Sequence, residues 1–198
     1  AVPTSRQITG NLAMAGFTAP KLLWMRRHEP GLFAQIHQVL LPKDWLRLQL
    51  TGDCVSEMSD AAGTLWLDVA RRDWSEPMLA ACGLGREHMP RLVEGSAVSG
   101  ELRATLAQAW GLAPGVMVAG GGGDNAASAI GVGAARPGQG FVSLGTSGVI
   151  FLVGAGHRSA PELAVHAFCH ALPDSWHQMA VMLSAASAFG WVTRLTGS

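Results

Sequence analysis

Asp124 and Asn125 follow four consecutive glycines, Gly120 to Gly123, at the mouth of a small-residue helix read over 126–131. A carboxylate there can orient or deprotonate a hydroxyl, and a neighbouring amide can hydrogen-bond a second hydroxyl of a polyol or sugar. Glycines remove side chains where a ligand must approach the backbone. The N–H groups of a helix start attract anions and stabilise a carboxylate placed among them. Three chemistries compete for this segment. In the plainest, Asp124 is an N-cap, a position Asp favours, although four glycines exceed what a cap needs. In the second, Gly121-x-Gly123-x-x-Ala126 satisfies a dinucleotide fingerprint between strand and helix. Asp124 would then sit where the pyrophosphate charge belongs, and no Asp or Glu occurs between it and Glu162 to meet a ribose. The third is phosphoryl transfer, in which Asp124 accepts the proton of an attacking hydroxyl. A weakly basic carboxylate suffices if the transition state is loose and the proton leaves late.

The turn Gly145-Thr146-Ser147-Gly148 lies about 20 residues further on, beyond a Pro/Gly-rich joint. By itself it is a tight hairpin. Paired with the glycine–Asp segment, it offers backbone N–H groups and hydroxyls as a second phosphate cradle. A hydrolase elbow is excluded because Val149 stands where G-x-S-x-G needs glycine. A Walker A loop is excluded because no Lys follows the glycines. His166, Cys169, His170 and His177 raise a metal site, but their spacing matches no zinc pattern, and partly buried strand residues explain them better. The Trp and Met residues read as core.

The elements that must carry these groups follow from local signals. A loop is read over 1–17, then a helix over 18–27 with Thr18 as N-cap and Pro20 in its first turn. Pro30 ends that helix. A strand is read over 38–41, followed by a helix that Pro42 opens and Gly52 closes. Leu65, Leu67 and Val69 suggest a strand, and Arg71-Arg72-Asp73 the turn after it. Helices are expected over 76–82 and 101–110, the second leading through Pro114 to a buried strand from Val116. Beyond a joint at 134–140, strands are read over 141–144 and 149–153. A further strand pair is read over 164–171 and 176–183, before a final helix over 184–195.

The 198 residues include 14 basic and 14 acidic side chains, so no net field attracts nucleic acid or an anionic membrane. Charged residues make up 14%, and 25 glycines suit an α/β interior with tight turns. Cys54, Cys82 and Cys169 are unpatterned and read as reduced thiols of a cytoplasmic protein. The uncharged stretch 137–156 is broken by glycines and hydroxyls and does not read as a membrane span.

The segment VAGGGGDNAASAIGVGAARPGQGFVSLGTSGVIF strongly resembles the core of FGGY-family carbohydrate kinases, and most of all members that phosphorylate xylulose. ITGNLAMAGFTAPKLLWMRRHEP, LLPKDWLRLQLTG and SEMSDAAGTLWLDVARRDWS are similar to family segments in the same order. The resemblance implies an α/β protein of actin-like ATPase (ribonuclease H-like) fold containing parts of two domains, 1–136 and 137–198. It implies ATP, as its Mg2+ complex, phosphorylating a ketopentose, D-xylulose first, on its 5-hydroxyl. Another FGGY substrate (ribulose, glycerol, gluconate) or a non-catalytic nucleotide- or sugar-binding module are the alternatives. It maps the catalytic base onto Asp124, substrate contacts onto Asn125 and Gly123, and ATP phosphate contacts onto Gly145, Thr146 and Ser147. The loop at Gly16 and Phe17 resembles a segment lining the sugar pocket, and Ser59-Asp60 is another family-like segment whose plain role is a turn before a strand. Homodimer formation is compatible with the resemblance. Family members are more than twice this length. Their Gly-x-Asp-x-Gly-Thr loop, Met-His sugar segment and adenine site have no match here, so the chain reads as an interior piece, inactive alone, with magnesium ligands outside it.

Overall fold

A computed structural model describes residues 2–197. The expected loop at the start contains a short helix, α1 (Ser5–Thr9), closed by Gly10 in the left-handed conformation. Helix α2 (Thr18–His28) includes Thr18 as its first residue, with extended Phe17 before it, so Thr18 is not the cap. Glu29 leaves the helical region before Pro30, as anticipated. Pro30 then opens another short helix, α3 (Pro30–Phe33), because its fixed φ suits a first turn. No strand forms over 38–41: Val39 N–H bonds the His88 carbonyl, but the stretch joins no sheet. Helix α4 (Pro42–Thr51) stops at Gly52, whose φ of 92° ends it.

Strand β1 (Val55–Glu57) is fully buried and runs straight into α5 (Met58–Ala62), with Glu57 as its cap. The hairpin of β2 (Leu67–Asp68) and β3 (Asp73–Trp74) is shorter than the sequence suggests, because Leu65 is left-handed (φ 66°) and cannot extend it. Arg72, also left-handed, sits in the expected turn. Helix α6 (Glu76–Cys82) has the expected bounds. Strand β4 (Arg91–Val93) pairs parallel with β1. Strand β5 (Val98–Glu101) claims Glu101, so helix α7 (Ala104–Ala109) starts later than expected. Its antiparallel partner β6 (Met117–Ala119) is not buried, with Met117 59% exposed. Helix α8 (Asp124–Gly131) follows the glycine run.

The remaining strands are β7 (Gly140–Leu144), β8 (Gly148–Gly154), β9 (His166–Cys169) and β10 (Trp176–Met182), followed by helix α9 (Ala186–Thr196). They form a four-stranded antiparallel sheet in the order β7-β8-β10-β9. The main core gathers Ala61, Ala62, Leu65, Trp66, Leu67, Val69 and Leu79, and it takes in Phe168 and Cys169 from β9. A smaller core joins Ala129 and Ala134 to Phe151 and Val153. Polar ties reinforce this: Trp176 Nε1 donates to the Val69 carbonyl (2.8 Å), and Arg72, paired with Glu94, donates to the Ser175 carbonyl (2.8 Å). Both cores therefore span the joint at 134–140. Trp66 and Trp74 lie in the core as expected, but Trp24, Trp45, Trp110 and Trp191 are exposed. The three cysteines are free thiols. Among the described residues no helix is long and apolar enough to cross a membrane.

Candidate functional site

Asp124 is not a cap. It is the first residue of α8, Gly123 holds the cap position, and no side chain caps the helix. The Asn125 backbone N–H donates to Asp124 Oδ1 (2.7 Å), and the Asn125 side-chain amide donates to the same oxygen (3.1 Å). One carboxylate oxygen is thus held, while Oδ2 of Asp124 has no hydrogen-bond partner among the described residues. Asp124 is exposed and Asn125 half-buried. Both face a cleft of about 140 Å³ whose other walls include Ser59, Asp60, Phe168, His177 and Met179.

The four glycines divide their work differently from what the sequence suggests. A Cβ on Gly120 would lie 2.4 Å from the Glu94 carbonyl oxygen, and one on Gly122 would press on Ala171 Cβ at 3.1 Å. Gly121 has a φ of 81°, and its N–H bonds the Gly95 carbonyl. Gly120 and Gly121 let two backbone segments cross closely, and Gly122 makes room for the Ala171 side chain, rather than opening space for a ligand. Gly123, at an ordinary φ of −59°, meets nothing tighter than 3.6 Å, and it lines the cleft.

A buried polar network fixes this loop. Arg47, 4% exposed, donates to the Gly120 carbonyl and to the Val55 carbonyl (2.6 Å), and pairs with buried Asp44 (3.0 Å). Glu57, fully buried, accepts from the backbone N–H groups of Ser59 (2.7 Å) and Asp60 (2.9 Å) and from Ser59 Oγ (2.8 Å). Ser59 Oγ in turn accepts from Gly123 N–H (2.8 Å), so the cap of α5 also holds the entry to α8. Lys43 Nζ lies 3.0 Å from Asp44, 3.4 Å from Glu57 and 3.6 Å from Asp60. Burial pushes the Asp60 carboxyl above its usual range; Lys43 opposes this, while Glu57 and Asp44 add to it. Ser59-Asp60 is helical, not a turn, and it forms one wall of the site. Glutamate is an unusual cap, so nothing local signals this network beyond the family-like Ser-Asp pair.

The strand histidines are structural or cleft residues, not a metal cluster: among the described residues no His, Cys, Asp and Glu side chains gather to hold an ion. His166 Nδ1 meets Asn11 Oδ1 (2.8 Å), and His170 bonds the Ala134 carbonyl (3.3 Å). Phe17 touches His166 edge-on and leans on Phe168, placing it behind the cleft wall instead of in the lining. Gly145, Thr146 and Ser147 are exposed at the β7–β8 turn and do not line the Asp124 cleft. The N–H groups of Ala185 and Ala186, at the start of α9, bond the Thr146 and Gly145 carbonyls (2.8 and 3.0 Å). Both places share strand β10: His177 and Met179 line the cleft, and Met182 pairs with Gly148 at the turn. Met179 to Met182 is roughly 10 Å along a strand.

Residues 1–131 match the family model described as "FGGY family of carbohydrate kinases, N-terminal domain". This chain belongs to that family. It is 63% identical over 196 residues to a xylulose kinase of Klebsiella pneumoniae and to one of Escherichia coli K12, covering 99% of this chain and 40% of each relative. The crystal structure of a xyloylose kinase from Brucella ovis superposes with a TM-score of 0.96 at 59% identity, covering 99% of this chain and 40% of that one. The mixed α/β architecture is accordingly the actin-like ATPase fold of FGGY kinases. The chain spans about 40% of the length of these relatives.

Proposed function

We propose that this chain carries the catalytic base of an ATP-dependent kinase converting D-xylulose to D-xylulose 5-phosphate. The observation that carries the reading is the Asp124 carboxylate, exposed in the cleft with one oxygen held by Asn125 and the other unpartnered. The free oxygen accepts the proton of the sugar 5-hydroxyl as the γ-phosphoryl group departs from ATP. Asn125 and the backbone at Gly123 position the sugar, and Asn125 keeps the carboxylate from turning. Gly145, Thr146 and Ser147 hold ATP phosphates: the Thr146 and Ser147 hydroxyls have no partner among the described residues and stand exposed at the turn. Mg2+ bound to the triphosphate would neutralise part of its charge, held mainly by phosphate oxygens and waters, as is common for this ion. The domain boundary falls at 136/137, within the joint, with β9 and β10 docked on the first domain's core. The similarity to xylulose kinases supports this substrate over other FGGY sugars.

The test is ADP release by the full-length protein with D-xylulose, ribulose, glycerol and gluconate. Xylulose should give the highest kcat/KM. Asp124→Asn should lower it about 10²- to 10⁴-fold, the usual share of a positioned proton acceptor. Near-unmutated turnover in that variant would sink the base assignment. A better rate on another sugar moves the substrate within the family. No sugar-dependent release at all supports a binding module.

A further inference from the structure

Strand β10 sets His177 opposite Val153 on one side and Phe168 on the other, with Met179 on the same face two residues on. His177, Phe168 and Met179 together make the β-sheet wall of the Asp124 cleft. The His177 ring is 4% exposed and its plane is fixed on several sides. It stacks on Phe151 (centroids 4.1 Å, 22°), tilts against Phe168 (5.7 Å) and meets His170 edge-on (5.8 Å). What it lacks is a hydrogen bond. Nδ1 is sealed from solvent without a partner, and Nε2 has none among the described residues.

His157 Nε2 is also buried without a partner, but it lies outside the cleft, and the other strand histidines are paired. His166 Nδ1 is paired with Asn11, and His170 bonds the Ala134 carbonyl through Nε2 and the Leu172 N–H through Nδ1. Buried polar side chains are normally paired. Nδ1 is closed off, so a partner from outside the chain can come only to Nε2. The orphan here is the one strand histidine that lines the cleft. We propose, resting on the sugar-kinase reading above, that His177 is a sugar-binding residue whose Nε2 hydrogen-bonds an oxygen of the ketopentose from the β10 wall of the cleft. Burial first, and then His170, push its pKa down to about 3. The ring is therefore neutral at working pH and can serve a hydroxyl as donor or acceptor. Its rigid aromatic setting holds that nitrogen without the entropy cost of a long side chain.

The experiment uses the full-length protein with two substitutions. His177→Phe keeps the ring stack on Phe151 and removes both nitrogens; His177→Gln keeps a hydrogen-bonding group at similar reach. With His177→Phe the KM for D-xylulose should rise about tenfold, the worth of one hydrogen bond, with KM for ATP unchanged and Tm equal or higher. His177→Gln should give a smaller rise. An unchanged sugar KM in the Phe variant, or equal rises for sugar and ATP, overturns the proposal. Should the Phe variant fail to fold, the Gln variant decides: a sugar-only rise of twofold or more supports the role, and no rise overturns it. If the unmutated protein releases no ADP with xylulose, it is the kinase reading that fails. Calorimetric titration of D-xylulose into both proteins then settles His177: weaker binding by the Phe variant supports it, and equal or absent binding overturns it.

Discussion

Asp124 and Glu57 are both carboxylates of the site region, and their surroundings give them opposite duties. Asp124 is exposed, holds one neighbour and stabilises little. Asp124→Asn should therefore change unfolding free energy by less than about 0.5 kcal/mol while activity collapses. Glu57 is buried and accepts three hydrogen bonds that build α5 and, through Ser59, fix Gly123. Glu57→Ala strands those donors and leaves Lys43 short of a partner, so a loss of about 3 kcal/mol is expected in urea unfolding. An unfolding curve overlapping that of the unmutated protein would show that the network does not hold the loop.

At the scale of elements, the glycine run is a backbone crossing with a site at its end. Gly120→Ala drives a Cβ into the Glu94 carbonyl at 2.4 Å, where only backbone can give way. It should cost about 1–3 kcal/mol, the range for overpacking. Gly123→Ala meets only ordinary contacts at 3.6 Å, with φ at −59°. It should cost less than about 1 kcal/mol, since a poorer cap is partly offset by a stiffer unfolded chain. Thermal melts of the two variants check the order; equal losses would reject this division of the glycines. The same contrast explains which elements were legible. Pro42 and Gly52 bracket α4 through their own fixed or left-handed φ, so its bounds stand in the sequence. Leu65 adopts φ 66° under tertiary constraint, which no alternation of Leu65, Leu67 and Val69 could announce.

For the whole molecule, the buried histidines set an acid limit. Burial lowers the pKa values of His157, His166, His170 and His177, the last to about 3. An unfolded chain takes up protons near the ordinary histidine pKa of about 6.5, before the folded one does. Stability is therefore complete above that pH and falls as pH drops toward 3, by about 1.4 kcal/mol per pH unit from His177 alone. Asp60, with its raised carboxyl pKa, acts in the opposite sense as pH falls through that raised pKa toward the ordinary carboxylate value. Urea unfolding at pH 7.5, 6.5, 5.5 and 4.5 should show the decline, and His177→Phe should make it shallower. A flat profile across these values would contradict the neutral burial of these rings.

The sequence by itself determined the place of Asp124-Asn125 at the mouth of a helix, the Gly145–Ser147 turn between two strands, the bounds of α6, and the family. These depend on residue type and short spacing, which act through local φ preferences and direct chemical identity. Only the tertiary structure decided that three of the four glycines serve the packing of the chain itself, that Asp124 is helical instead of a cap, and that Ser59 and Asp60 wall the cleft. It also decided that, of the strand histidines, His177 alone stands unpartnered at that wall. The reason is physical: close approach, burial and an unmade hydrogen bond belong to pairs of residues distant in the chain. Glu57 and Gly123, or His177 and Phe151, meet only once the sheet and the helices have packed.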